Sequence, residues 1–369
     1  MKLVNLTIQE IIDRCHHHEG HIFCVGAGKA FCTFEQSFQM LGIDDFIVGI
    51  ADNNSVRWGT FTTLRSGRQI EVISVSDMAR RVSQQDVVVV TTQYLPEVMQ
   101  QLEDLPQGNV AAFYGFLIDN YCDVMLQGGD MDALVVQDER FSIPKVIHYC
   151  WFGRGRIPER YREWMDSWKK YCPDYEIIEW NEDNYDITKN AYMMQAYEAK
   201  RWGFVPDYAR LDIIYQYGGI YLDTDVEVLQ PLDPLLHQEA FAGFQEATGT
   251  NVGLGLGLGS IPLNPLVKEM RDAYDHLTFV NADGSLNLTA SPYYQTQVLL
   301  RHGLRQDGRF QQLPHLNLYP KVFFSPMNHY SRVVRKNENS YLLHHFDGSW
   351  VKGRPKNAWD KLPDIYRNL

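Results

Sequence analysis

No stretch of the 369-residue sequence stays apolar for the roughly 18 residues that a membrane-spanning helix needs. The start, Met1-Lys-Leu-Val-Asn-Leu-Thr7, also lacks the continuous apolar core of a signal peptide. A soluble chain made in the cytoplasm is therefore expected, with peripheral association at the inner face of a membrane left open. Positive charge is in deficit: 34 Lys and Arg stand against 46 Asp and Glu, for a net charge of −12. That balance excludes a general nucleic-acid binder, because nothing would neutralise a phosphate backbone in bulk. Cysteine is scarce and scattered. Cys15, Cys24, Cys32, Cys122, Cys150 and Cys172 form no C-x-x-C pair and sit mostly among apolar neighbours, so reduced core thiols and no disulfides are expected. Low-complexity runs and charge blocks are missing as well. With 45% hydrophobic residues, the chain is long enough for two cores.

The first part of the chain alternates strand and helix signals, as a small doubly wound unit does. His21–Val25, Phe46–Ala51 and Asp86–Thr91 read as buried strands, and the stretch from Gly28 to Leu41 reads as a helix. Gly26 and Gly28 bracket a tight turn, and Asp52 ends the second strand, which makes the three a candidate nucleotide site. The G-x-G-x-x-G fingerprint stops short, however, because Phe31 stands where the third glycine would permit close helix packing. A purely structural turn is the equal alternative. His16-His17-His18 reads as an exposed helix end, since no companion ligand accompanies it. From about Gln127 to Ser142 the pattern lapses, which sets expected domains at residues 1–138 and 139–369.

The second domain opens on Ile143–Gly153, a strand running into a glycine loop. His148 and Trp151 fall near its C-terminal end, the edge where open α/β sheets bind ligands. Trp151 offers a flat indole to a planar base, whereas His148 is as readily a satisfied core residue as a ligand contact. The most informative stretch is Val205–Glu227. Pro206 suits a first helical position and Gly218-Gly219 the turn out of the helix. Ile220-Tyr221-Leu222 is then β-prone. Alternation along a strand would put Asp223 and Asp225 on one side and Thr224 on the other. Two carboxylates facing one way at a strand's end repel each other unless something positive lies between them. A hard divalent cation, Mn2+ or Mg2+, is the economical candidate.

Asp207-x-x-Arg210 followed by Tyr217-Gly-Gly-Ile-Tyr-Leu-Asp-Thr-Asp225 resembles the core of the DXD-containing glycosyltransferases of the sugar-binding-region family. That group includes initiating mannosyltransferases and capsule and lipopolysaccharide enzymes, and more distantly the large clostridial glucosylating toxins. The likeness spans about residues 143–350. It implies a GT-A type nucleotide-sugar-binding domain, α/β in class, preceded here by the small Rossmann-like doubly wound domain. It further implies a metal-dependent, retaining hexosyltransferase. The sugar would pass from a nucleoside diphosphate sugar, UDP-linked by preference, to a saccharide or lipid-linked acceptor in surface polysaccharide synthesis. By the same resemblance, Asp207 and Arg210 hold the donor sugar's hydroxyls with Tyr221 nearby, and Trp151 stacks on the base.

Two further stretches complete the expected site. Asn251–Gly259 carries glycine at every second position, which lets a backbone or ligand approach closely, and Asn251 is a candidate hydroxyl contact. Tyr341-Leu-Leu-His-His-Phe-Asp-Gly-Ser-Trp350 is similar to the family's C-terminal ending, in which Ser349 and Trp350 close over the diphosphate. A third metal ligand is expected there, His345 or else His344, with His345 preferred because it shares strand parity with Asp347 and Ser349. A non-catalytic nucleotide-sugar sensor is compatible with the same residues. A nicotinamide-dependent oxidoreductase built on Gly26-Ala-Gly28 would need a complete fingerprint and a base in the same unit.

Overall fold

The computed structural model describes residues 8–17, 20–92, 95–105, 111–114, 135–246, 251–327 and 334–348. The described residues fall in two compact units, one ending by residue 114 and the other running from residue 135. In the first, β1 (Ile22–Val25), β2 (Ile47–Ala51), β3 (Phe61–Thr63), β4 (Gln69–Ile73), β5 (Val87–Val90) and β6 (Ala111–Tyr114) lie in the order β3-β4-β2-β1-β5-β6. β1 runs parallel to both β2 and β5. Every residue of β1 and β5 is buried, as apolar runs at the centre of a parallel sheet must be. The doubly wound unit expected at this end of the chain is present.

The second unit centres on a mixed sheet in the order β14-β15-β11-β13-β9-β7-β8. Its members are β7 (Val146–Cys150), β8 (Glu176–Trp180), β9 (Gly219–Tyr221), β11 (Ala240–Phe244), β13 (Leu258–Ser260), β14 (Gln311–Leu313) and β15 (Leu316–Tyr319), with β12 (Val252–Gly253) paired onto β11. β7 is parallel to β8 and β9, and β13 runs antiparallel to β9. A two-stranded ribbon, β10 (Val226–Val228) with β16 (Leu342–His344), stands apart from that sheet. This is the α/β, GT-A type domain that the resemblance implies.

The helix that leads into β9 has the expected bounds, Pro206–Tyr217, with proline in its first turn. It is not amphipathic: Asp207 through Leu211, and on to Ile214, are all buried, so the helix runs through the interior. Gly218 and Gly219 both adopt positive φ, at 66° and 89°, which returns the chain at once into β9. A Cβ on Gly219 would sit 2.7 Å from the Val146 carbonyl and 3.0 Å from Nε2 of His148. Close approach at this turn therefore requires glycine.

His148 fastens the turn. Its Nδ1 accepts a hydrogen bond from the indole of Trp180 at 3.0 Å, so Nε2 carries the proton and donates to the Gly218 carbonyl at 3.0 Å. Burial lowers its pKa to about 4, against the smaller opposing effect of the Gly218 bond. A neutral imidazole thus ties the end of the central helix to β7 and β8. Of the two readings open for His148, these contacts match the satisfied core residue.

The strand expected to carry both aspartates ends earlier, at Tyr221. Asp223 and Asp225 instead lie in a turn closed by Val226 N–H donating to the Asp223 carbonyl at 3.0 Å. β-alternation is therefore not what gathers them. Ile220 and Leu222 enter one apolar core with Trp168 and Phe241, and Tyr221 enters the other with Leu211 and Tyr274. Burial on both faces fixes β9, and the turn begins where that burial ends.

Removing His148 leaves the Gly218 carbonyl and the Trp180 N–H without partners in a dry interior, at about 1–3 kcal/mol each. His148→Leu should lower the melting temperature at pH 7 by roughly 4–15 °C. Because the folded-state pKa lies below the unfolded one, the wild type should lose stability as pH falls from about 6.5 toward 4. Thermal melts across that range should show this decline, and a flatter one in the variant. Unchanged melting at pH 7 would contradict the clasp.

Candidate active site

The ribbon brings β16 antiparallel to β10 with His344 opposite Val226, so the imidazole arrives beside the Asp223–Asp225 turn. His344 Nε2 lies 3.2 Å from Asp225 Oδ1 and 3.9 Å from Asp223 Oδ2. One ligand atom from each of the three residues falls within 4.8 Å of the others. Two carboxylate oxygens and an imidazole nitrogen form a donor set that suits Mn2+ and accommodates Mg2+ less well.

The charges respond to this crowding. Burial alone would lower the His344 pKa, but the Asp225 charge and hydrogen bonds to both aspartates raise it to about 9. Asp225 is likewise pushed up by burial yet held at about 2 by His344. His344 Nδ1 accepts from Phe346 N–H at 3.1 Å, a contact that favours the neutral ring. The ion pairs prevail, since attraction between buried opposite charges exceeds one backbone hydrogen bond.

His345, the preferred ligand on parity, faces elsewhere. Its Nε2 lies 3.0 Å from Glu227 Oε2, and its ring stacks on Trp164 at 4.1 Å and 9°. Parity fails because β16 ends at His344 and the chain bends, with Phe346 at φ 45°. The bend also seals the turn from above: His345 N–H donates to the Asp225 carbonyl, and Asp347 N–H to Asp225 Oδ2, both at 2.9 Å. Asp347 in turn accepts from Tyr161 and Arg160. Trp151 packs edge-on against Tyr161 at 6.0 Å, which connects the indole to this segment. Ser349 and Trp350 lie outside the described residues.

Arg210 joins the central helix to the acidic turn. Its Nη2 lies 3.1 Å from Asp207 Oδ1 and 3.4 Å from Asp223 Oδ1, and its guanidinium sits 5.2 Å from the Tyr221 ring centre. Tyr221 donates to Asp223 Oδ1 at 3.0 Å. Burial raises the Asp207 pKa to about 7, with Arg210 pulling it back. Gly255 comes so close that any side chain there would overlap the Asp223 carboxylate, and its carbonyl accepts Asp223 N–H at 3.1 Å. One glycine of the alternating run thus has a definite role at the site. Asn251 is engaged differently: its N–H donates to Glu246 Oε2 at 3.2 Å, and its carbonyl accepts from Gln245 N–H.

In the first unit Asp52 links its own loop to the glycine turn. Its two carboxylate oxygens accept N–H groups of Ala27 and Asn54, each at 2.8 Å. Gly26 stands at φ 115° under the Thr91 carbonyl, and Gly28 precedes the Lys29–Met40 helix. Asp52 thus braces the glycine turn, a structural use of Gly26, Gly28 and Asp52.

Residues 158–242 match the family described as glycosyltransferase sugar-binding region containing DXD motif. The chain carries a DXD glycosyltransferase region. That glycosyltransferase region takes in the central helix, the Asp223–Asp225 turn and β11. The chain is 29% identical over 184 residues to inositol phosphoceramide mannosyltransferase 3 of Schizosaccharomyces pombe, covering 47% of this chain and 51% of that protein. It is 29% identical over 138 residues to mannosyl phosphorylinositol ceramide synthase SUR1 of Saccharomyces cerevisiae, covering 36% and 35%. The chain spans about half or less of the length of these curated relatives. Among solved structures it is similar to the PaToxG glycosyltransferase, at 16% identity and a TM-score of 0.37 over 50% of this chain and 79% of that one.

A metal ligand must be deprotonated, and His344 holds its proton up to about pH 9. Manganese binding at pH 7 should therefore release a proton from His344, and affinity should rise as pH increases from 6 to 9. Calorimetric titrations in buffers of different ionisation enthalpy would count that proton. His344→Ala should abolish the release, and His345→Ala should retain it. Affinity independent of pH in the wild type would contradict the arrangement.

Proposed function

We propose that the chain is a metal-dependent glycosyltransferase moving a sugar from a nucleoside diphosphate donor to a saccharide or lipid-linked saccharide acceptor, of the kind consumed in surface polysaccharide assembly. The observation that carries this reading is the continuity from Asp207 through Arg210 to Asp223, and from there to Asp225 and His344. One end suits sugar hydroxyls, and the other suits a cation and the phosphates it would hold. The expected donor was UDP-linked. Because the relatives are named as mannosyltransferases, a mannosyl donor joins it as a candidate, and the names of those relatives make a lipid-linked acceptor the first to try. Retention of anomeric configuration is proposed from the resemblance alone.

Asp223, Asp225 and His344 would hold the divalent cation, whose contribution when bound is Lewis-acid stabilisation of the leaving diphosphate. The protein's own residues position everything else. Asp207 accepts from sugar hydroxyls while Arg210 donates, and the Arg210 guanidinium remains charged because the Asp223 and Asp207 carboxylates outweigh its burial. Asp347 N–H occupies and orients the outer oxygen of Asp225. Trp151, at the C-terminal end of β7, is proposed to stack on the base.

Domain roles follow the same lines. Val136 N–H donates to Tyr319 Oη at 3.2 Å and Asp138 N–H to the His237 carbonyl at 2.6 Å, so the catalytic unit begins no later than residue 135. Among the described residues no helix is long and apolar enough to cross a membrane.

Asp225→Asn keeps an acceptor for Asp347 N–H but removes the charge. Turnover of GDP-mannose or UDP-glucose with manganese should fall about 100–1,000-fold, and the metal-free variant should melt below the wild type because the buried Asp225–His344 pair is lost. Wild-type turnover in excess chelator, or undiminished turnover in the variant, would exclude metal-dependent transfer. Metal-dependent donor binding without any turnover of donor would favour a sugar-nucleotide sensor.

A further inference from the structure

Three buried side chains near Asp207 have polar atoms with no hydrogen-bond partner among the described residues. They are the phenol oxygens of Tyr192 and Tyr274 and both polar atoms of the Gln295 amide. Each of these residues is at most 1% exposed. Unmade hydrogen bonds in a dry interior are costly and correspondingly rare, so several in one neighbourhood mark a place where something else supplies partners.

The three belong to elements that share one neighbourhood but contribute nothing to the acidic turn. Tyr192, on the Ala191–Glu198 helix, meets Tyr274 edge to face at 5.3 Å. Tyr274 packs on Tyr294 of the Ser291–Arg301 helix at 5.7 Å. One position further along that helix is Gln295, a single turn beyond Ser291, so the two lie on the same face. Ser291 hydrogen-bonds Asp207, and the Asp207 charge acts on both phenols. Asp207 therefore faces two polar surroundings: Arg210 and the Asp223 turn, and this set of unfilled hydroxyl and amide groups.

The chemistry indicates the class of ligand. Phenol and carboxamide groups both donate and accept, as sugar hydroxyls do, and aromatic edges suit the C–H faces of a pyranose. A phosphate would need an excess of cations, whereas the Asp207 carboxylate acts on both phenols more strongly than Arg210 does. We propose that Tyr192, Tyr274 and Gln295 bind hydroxyls of the donor's sugar ring beyond Asp207 and Arg210, and so determine which sugar epimer is accepted. This rests on the glycosyltransferase reading above.

The test is calorimetric binding, with manganese present, of UDP, GDP, UDP-glucose, UDP-galactose and GDP-mannose to the wild type, Gln295→Leu, Tyr192→Phe and Tyr274→Phe. The two phenylalanine variants each lose a single atom, so they carry the test if Gln295→Leu does not fold. In each folded variant, affinity for the preferred sugar-bearing ligand should fall about tenfold, and preference between glucose and galactose should narrow. Affinity for the nucleoside diphosphate alone should stay unchanged, and the melting temperature should hold or rise. Unaltered donor affinity with a raised melting temperature would overturn the proposal and make the unfilled groups packing faults. A wild type that binds UDP or GDP no more tightly when the sugar is attached would overturn it while leaving the nucleotide site standing. A wild type that binds none of the five ligands would overturn the glycosyltransferase reading, and this inference with it.

Discussion

The buried guanidinium of Arg210 balances two carboxylates, buried Asp207 at 3.1 Å and half-buried Asp223 at 3.4 Å, and neither Arg210 nor Asp207 could be buried cheaply without this balance. This shared charge balance ties the central helix to the acidic turn, so a shift of the helix moves both halves of the site. Arg210 is further restrained by the Tyr221 ring and by Nε donating to the Pro206 carbonyl at 3.2 Å. Lysine would lose the Nε bond to the Pro206 carbonyl and the flat guanidinium's contact with the Tyr221 ring.

Around that centre the fold acts as a set of stops. His148 and Gly218-Gly219 fix where the helix ends, burial on both faces fixes β9, and Gly255 lets a loop close against Asp223. The ribbon then delivers His344 from more than a hundred residues away in sequence. Because Asp225 also receives the N–H groups of His345 and Asp347, the C-terminal segment and the acidic turn hold each other in place. A cation held as proposed would therefore be coupled through Asp225 to the position of that segment.

Much of this was legible in the residues themselves. Pro206 and Gly218 marked the helix ends, and the strand Val146–Cys150 fell within the run Ile143–Gly153 that announced it. The acidic pair was visible as well, although a turn and not strand alternation brings the two residues together. What the residues could not show depends on contacts between distant segments. The choice of His344 over His345 follows from the bend at Phe346, which breaks the parity rule. The framework role of His148 needs Trp180 and Gly218, and the engagement of Asp52 needs Ala27 and Asn54. Gln295 carries no sequence signal at all, because an unpartnered amide becomes visible only once the core around it is built.

The central claim is that Asp223, Asp225 and His344 together hold a divalent cation through two carboxylates and one imidazole. Pulsed electron paramagnetic resonance of the manganese-loaded protein measures this directly, since a coordinating imidazole couples its nitrogen spin to the metal. One such nitrogen coupling should appear in the wild type, persist in His345→Ala and vanish in His344→Ala. A wild-type spectrum without directly coordinated nitrogen, or a coupling that survives His344→Ala, would contradict the account.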